Sequence, residues 1–153
     1  RTLLPQAEVL CLELSDRAFP YLEENLRRHG KGLAAARKGD VLSPALAGEF
    51  APGSLDFIAS NPPYIETGEL PGLQPEVRRE PALALDGGAD GLVFYRAIAR
   101  LWAPLVKPGG LVAVEIGENQ GPAVERLFQQ AGLTAVETAR DWAGLDRVVS
   151  GLR

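Results

Sequence analysis

The stretch Asp56-Phe57-Ile58-Ala59-Ser60-Asn61-Pro62-Pro63-Tyr64 decides the reading of this chain. Asp56 to Ser60 is a short apolar run that reads as a buried strand. The two prolines that follow forbid helix and fix φ, so the loop leaving the strand is stiff. An Asn and an aromatic are thereby held at a set separation at the C-terminal end of a strand, which is where open α/β sheets bind ligands. The Asn61 side-chain oxygen, beside the Pro62 carbonyl, offers two acceptors to one planar NH2 group. Tyr64 can stack on the face of that group. The pattern suits an amide or an amino-heteroaromatic nitrogen. A rigid turn with a surface Tyr is the plain structural alternative.

Working outward, strands and helices alternate. Glu8 to Leu14 reads as a buried strand with Glu13 near its tip, and Asp16 opens a helical stretch to His29, with Phe19, Leu22 and Leu26 on one face and Gly30 as C-cap. Leu33 to Arg37 is a weaker strand closing with Gly39-Asp40, and Ala45 to Gly53 is loop or short helix. Beyond the Asn-Pro-Pro-Tyr loop, Glu66 to Gly91 is rich in Pro and Gly and too long for a plain connection, so it reads as a functional loop. Leu92 to Val106 is an amphipathic helix, Lys107 to Gly110 a turn, Leu111 to Ile116 a strand, and Pro122 to Ala131 a helix. Thr134 to Arg140 and Arg147 to Leu152 complete the strands, the last able to return antiparallel. This order implies an α/β fold built on a mostly parallel sheet.

The whole chain narrows the function classes. Its 153 residues amount to one domain with enough chain for a core, and a net charge of −4 argues against a broad nucleic-acid footprint. One Cys and one His provide neither a disulfide nor a Cys/His metal cluster. No apolar run reaches membrane-spanning length and no signal peptide opens the sequence, so a cytoplasmic protein is expected. Cys11 reads as inert core, His29 as a helix-end residue, and Trp102 and Trp142 as packing.

In a doubly wound sheet, an acid at the tip of the second strand commonly binds ribose hydroxyls, a role Glu13 can fill. Asp40, ending the next strand, can accept from an adenine amino group. Each also has an ordinary use, Glu13 at a helix start and Asp40 in a turn.

These residues bring the chain to a family. It resembles the class I S-adenosylmethionine-dependent methyltransferases, and among them the HemK/PrmC-type release-factor glutamine N5-methyltransferases. The resemblance is carried by Glu13-Leu14-Ser15, Gly39-Asp40, Asn61-Pro62-Pro63-Tyr64-Ile65, Glu76-Val77-Arg78 and Glu80-Pro81. It continues in Ala84-Leu85-Asp86-Gly87-Gly88, Asp90-Gly91-Leu92, Tyr95-Arg96, Pro108-Gly109-Gly110, Glu115-Ile116-Gly117 with Gln120, and Asp146-Arg147-Val148. The Asn-Pro-Pro-Tyr motif is shared with adenine methyltransferases. The Glu-Pro to Asp-Gly segment is more particular to the glutamine enzymes.

The resemblance implies a Rossmann-like sheet with its last strand antiparallel, and S-adenosylmethionine as cofactor. It also implies a glutamine in the Gly-Gly-Gln loop of a peptide chain release factor as acceptor, and a monomer that binds neither metal, membrane nor nucleic acid directly. Asn61, Pro62 and Tyr64 become catalytic, and Glu13, Asp40 and Asn61 cofactor-binding. Pro63, Tyr64, Glu80 and Pro81 become acceptor-binding. The family's helical domain, its first catalytic strand and the Gly-rich loop after it have no counterpart in residues 1–153. Arg1 to Leu4 match the tail of the helix after that loop. The chain is therefore expected to be part of a catalytic domain that lacks a central strand and, alone, binds the cofactor poorly. An adenine N6-methyltransferase and a non-catalytic methyltransferase-like module are the competing readings.

Overall fold

The computed structural model describes residues 6–153, in two compact units divided between Leu46 and Ala47. Arg1 to Leu4, expected as a helix tail, lie outside the described residues. In the smaller unit, β1 (Val9–Glu13) and β2 (Ala34–Lys38) pair in parallel from Val9↔Ala34 to Glu13↔Lys38. The helix α1 (Phe19–His29) makes the crossover that a parallel pair requires. It starts three residues later than the sequence suggests. Ser15, not Asp16, organises its approach, accepting the Ala18 N–H on Oγ at 3.3 Å and the Phe19 N–H on its carbonyl at 3.0 Å. Asp16 instead pairs with Lys38. The helix closes at Gly30, whose N–H reaches the Leu26 carbonyl at 2.7 Å.

Burial in this unit departs from the sequence reading. No residue of α1 is buried, and Val9 and Leu10 are 48% and 44% exposed in the strand expected to be internal. Cys11 is half-buried rather than core. A two-stranded sheet has one paired edge per strand and too little surface to enclose its apolar residues.

The larger unit holds a four-stranded sheet in the order β3 (Leu55–Ser60), β4 (Val106–Glu115), β6 (Asp146–Leu152), β5 (Thr134–Arg140). β3 and β4 are parallel, and β6 runs antiparallel between β4 and β5, as expected for the last strand. β3 lies at the end of this order, and Phe57 is 53% exposed, so this strand too is less buried than its composition suggests. The short helix α2 (Pro44–Ala47) precedes β3, and α3 (Ala82–Leu85) lies in the long loop after it.

The core is apolar and continuous. Val112 and Val114 of β4, Val149 of β6, and Val124 and Phe128 of α5 (Gly121–Gln130) are buried with Tyr95, Ile98 and Trp102. The last three lie on one helical run that the sequence reads as uniform. The run is instead divided into α4 (Val93–Ala97), a π-helical stretch (Ile98–Trp102) and a final 3₁₀ turn (Ala103–Leu105). Pro104 accounts for the widening, because it lacks an N–H and its ring crowds the carbonyl one turn earlier. Trp102 packs against Phe50 with ring centroids 5.5 Å apart.

The expected turn at Lys107 to Gly110 lies inside β4 as a bulge. β3 advances from Leu55 to Phe57 while β4 advances from Val106 to Leu111. The bulge is held to the chain end by Gly109 N–H to Arg153 O at 2.8 Å and Arg153 N–H to Gly110 O at 2.9 Å.

This uneven burial has a measurable consequence. Phe128→Ala should destabilise the larger unit by about 3–5 kcal/mol, and Leu10→Ala should change stability by less than about 1 kcal/mol, in urea unfolding of the two variants. Comparable losses would show that β1 is packed as tightly as α5.

Candidate functional site

The Asn61-Pro62-Pro63-Tyr64 loop leaves the C-terminal end of β3 with Pro62 buried, Pro63 and Tyr64 half-buried and Asn61 exposed. Among the described residues, no hydrogen bond engages the Asn61 amide. The following residue ties the loop down. Ile65 forms a parallel bridge with Asp86, its N–H reaching Leu85 O at 3.0 Å and its carbonyl accepting Gly87 N–H at 2.8 Å. Thr67 N–H extends the bridge to Gly88 O at 2.9 Å. The Asp86 carboxylate closes it, accepting the Thr67 hydroxyl at 2.7 Å and the Gly88 N–H at 2.9 Å through Oδ1. Those two bonds, the hydroxyl first, hold its pKa below the ordinary 3.8. The Leu-Asp-Gly-Gly segment is thus the splint of the Asn-Pro-Pro-Tyr loop rather than a free turn.

Close approach explains two glycines here. A Cβ on Gly87 would stand 2.8 Å from Tyr64 Cα, and one on Gly91 would stand 2.5 Å from Tyr64 O and from Gln120 Nε2. Gly91 also has φ +67°, which an L side chain rarely adopts.

Gln120 joins these parts. Its Nε2 donates to the Tyr64 carbonyl at 3.0 Å and to the Gly91 carbonyl at 3.3 Å. Its Oε1 accepts the Gly117 N–H at 3.0 Å and lies 3.3 Å from the Tyr95 hydroxyl. That hydroxyl also reaches the Glu115 carbonyl at 3.0 Å. Burial first, then Coulombic interaction with Tyr64 and Glu115, push the Tyr95 phenol well above its usual range, so it remains a neutral donor. Arg147 completes the same end of the sheet. It donates to the Ile116 carbonyl at 3.3 Å and to Asp141 at 3.1 and 3.2 Å, and its pKa is raised first by Asp141. Asp141 organises the β5–β6 turn, on which Trp142 is wholly exposed rather than packed as expected.

The remaining sequence-predicted residues are Glu80 and Pro81 in the larger unit and Glu13 and Asp40 in the smaller one. Glu80 and Pro81 are exposed, with Pro81 at the N-cap of α3 and Glu80 lining an open groove of about 330 Å³ with Leu70, Leu73, Arg78 and Leu85. They connect to the loop through α3, whose Leu85 carbonyl receives the Ile65 N–H. Glu13 and Asp40 belong to the smaller unit, at the C-terminal ends of its parallel strands. Glu13 Oε1 accepts the Ser15 N–H at 2.6 Å, and Asp40 Oδ1 accepts the Leu42 N–H at 2.8 Å. Both thus have the ordinary turn-forming use. A carboxylate accepts several hydrogen bonds, so each retains capacity for a hydroxyl or amino donor. Among the described residues, no group of three or more His, Cys, Asp or Glu could hold a metal ion, and no helix is long and apolar enough to cross a membrane.

Gln120, Tyr95, Gly91 and Arg147 have no individual role in the sequence reading, although each falls in a segment that carries the resemblance. For Gln120 a local signal existed, since glutamine is an unusual residue at a helix N-cap.

The fold is that of the methyltransferases. A methyltransferase from Pyrococcus furiosus superposes with a TM-score of 0.64 at 17% identity, over 95% of this chain and 62% of that one. The chain is homologous to the release factor glutamine methyltransferases. It is 44% identical over 154 aligned residues to that of Caulobacter vibrioides and 46% identical over 149 to that of Moorella thermoacetica, covering 97% and 94% of this chain. The chain spans about half the length of these curated relatives (50% of each). A solved protein-(glutamine-N5) methyltransferase, specific for release factors, from Alicyclobacillus acidocaldarius superposes with a TM-score of 0.50 at 25% identity, over 97% of this chain and 80% of that one. No protein-family model matches the chain.

The Asp86 splint gives a pH-dependent prediction. Because the folded pKa is depressed, its contribution to loop order is complete above the ordinary value of 3.8 and is lost as pH falls through the lower folded value. Amide protection at Thr67 and Gly88 should fall in that window in the wild type. In Asp86→Ala it should be low at every pH, as read by hydrogen exchange.

Proposed function

We propose that the protein to which this chain belongs transfers a methyl group from S-adenosylmethionine to the side-chain amide nitrogen of a glutamine in the Gly-Gly-Gln loop of a peptide chain release factor. The observation that carries this reading is the exposed, unengaged Asn61 amide on a doubly anchored loop, beside Tyr64, in a chain homologous to release factor glutamine methyltransferases. Such a substrate puts the reaction in the cytoplasm.

A glutamine nitrogen is a weak nucleophile because its lone pair is delocalised into the carbonyl. The Asn61 side-chain oxygen and the Pro62 carbonyl would accept its two hydrogens, and Tyr64 would pack on the amide face. Holding both hydrogens orients the nitrogen and favours its pyramidalisation in the transition state. No strong general base is needed, since the proton becomes acidic once the nitrogen carries the methyl. Pro63 would stiffen the clamp, and Glu80-Pro81 would shape the acceptor's approach.

The residues present fit the adenosine end of the cofactor. Glu13 and Asp40 are acceptors at the ends of parallel strands, suited to ribose hydroxyls and to an adenine amino group. S-adenosylmethionine supplies the electrophilic methyl on a sulfonium, so the protein's part is geometry and polarity. We further propose that the chain is one part of a catalytic domain. The homology over half the relatives' length and the exposed apolar residues of β1 support this. The isolated 153-residue chain should then bind S-adenosylmethionine far more weakly in calorimetry than the longer protein.

The deciding experiment is radiolabelled methyl transfer by the longer protein. It would be offered a release factor, the same factor with its loop Gln changed to Ala, and adenine-containing DNA and RNA. Label only on the unmodified factor is expected, and label on nucleic acid would move the acceptor to adenine. Asn61→Ala should lower kcat by roughly a hundredfold while leaving cofactor affinity within about twofold. Equal losses in both would remove Asn61 from the clamp.

A further inference from the structure

Gln120 stands at the N-cap of α5, a position that favours Ser, Thr, Asp or Asn because their short side chains bond the helix's own free N–H groups. Its side chain makes no such cap. The amide turns away from the helix to Tyr64, Gly91, Gly117 and Tyr95. The orientation of the amide follows from the network. Two carbonyls require the NH2 group on one side, and the Gly117 N–H requires the oxygen on the other. Few side chains could replace it. Glu has the length but no donor when ionised, Lys has no acceptor, and Asn is one methylene shorter. A residue that breaks a local rule to satisfy long-range partners marks a site where position matters.

The partners say what is positioned. The Tyr64 carbonyl belongs to the last residue of the clamp, and the bridge at Ile65 takes hold one residue later. Between them the Tyr64 peptide has little freedom. The prolines before it pass that restraint to Asn61 and to the Pro62 carbonyl. On the other side, Gln120 rests on the Gly117 N–H at the end of β4 and on the buried Tyr95.

We propose that Gln120 is the positioning residue of the clamp. Without touching the acceptor, it fixes the Tyr64 peptide through its carbonyl and so sets the direction in which Asn61, Pro62 and Tyr64 present themselves. The catalytic part of this proposal rests on the methyl-transfer reading above. The structural part does not.

The test uses Gln120→Ala and Gln120→Glu in the longer protein. Gln120→Ala should lower kcat for the release factor by about tenfold to a hundredfold, with KM for S-adenosylmethionine unchanged. Gln120→Glu retains an acceptor oxygen but sets a carboxylate against two carbonyls. Its activity relative to wild type should rise as the pH is lowered, because protonation restores one O–H donor. Hydrogen exchange decides the structural part independently of activity. In Gln120→Ala, exchange should quicken at the Ile65 and Gly87 amides and stay unchanged at Val114 and Val149. Unchanged exchange at Ile65 and Gly87, an equal rise throughout the sheet, or a pH-independent activity ratio for Gln120→Glu would overturn the proposal. If the wild type methylates no glutamine at all, the methyl-transfer reading fails and takes the catalytic part with it, while the exchange result still stands or falls alone.

Discussion

The carbonyl of Tyr64 lies just beyond the end of a strand, where the ladder of β3 with β4 has stopped at Ser60. Its hydrogen bond has to come from elsewhere, and the donor that supplies it is the amide of Gln120. Much of the larger unit is arranged so that this one bond can form. Gly91 has no side chain because Tyr64 O and Gln120 Nε2 occupy the space a Cβ would take. Tyr95 is buried beside the same amide, with its hydroxyl shared between Gln120 and the Glu115 carbonyl. A single hydroxyl there lies within reach of two acceptors, and among the described residues no buried side-chain polar atom lacks a partner.

The apolar core gives that polar cluster a fixed frame. Val112 and Val114 face inward from β4, and the strand ends at Glu115, where the cluster begins. The helical run that carries Tyr95 at one end is widened in its second half, ahead of Pro104. Its π-helical stretch buries Ile98, Ala99 and Trp102 together. A regular α-helix would distribute these residues differently around its axis, since each residue of a wider turn advances the helix by a smaller angle. The packing of this run thus depends on a sequence feature, Pro104, that lies outside the clamp.

How far the sequence was legible follows from the range of the forces involved. The strands, α1, α5 and the stiff loop after β3 are written in local periodicity and in proline, and those signals act within a few residues. The antiparallel return of β6 was readable as an option, and pairing with β4 and β5 made it definite. What could not be read locally depended on distant partners. Lys107 to Gly110 carries every mark of a turn, yet bonds to Arg153 keep it in the sheet as a bulge. The role of Asp86 depends on Thr67, which the Ile65 bridge brings to it from 19 residues away. Trp142 has the composition of a core residue and stands in solvent, because Asp141 uses its carboxylate to form the turn that carries it.

Distant partners matter for β1 as well. A run of Val9, Leu10, Cys11 and Leu12 is the composition of a strand enclosed on both faces, which in α/β proteins is the signature of a parallel sheet's interior. Its observed exposure is a mismatch between what the sequence is built for and what β2 and α1 supply. Apolar strands left open invite pairing with another chain unless further surface covers them. The proposal that the chain is one part of a longer catalytic domain provides that surface. It also gives the acids at the ends of β1 and β2 a reason to sit where they do: carboxylates at strand tips become useful for ligand binding once the sheet around them is complete.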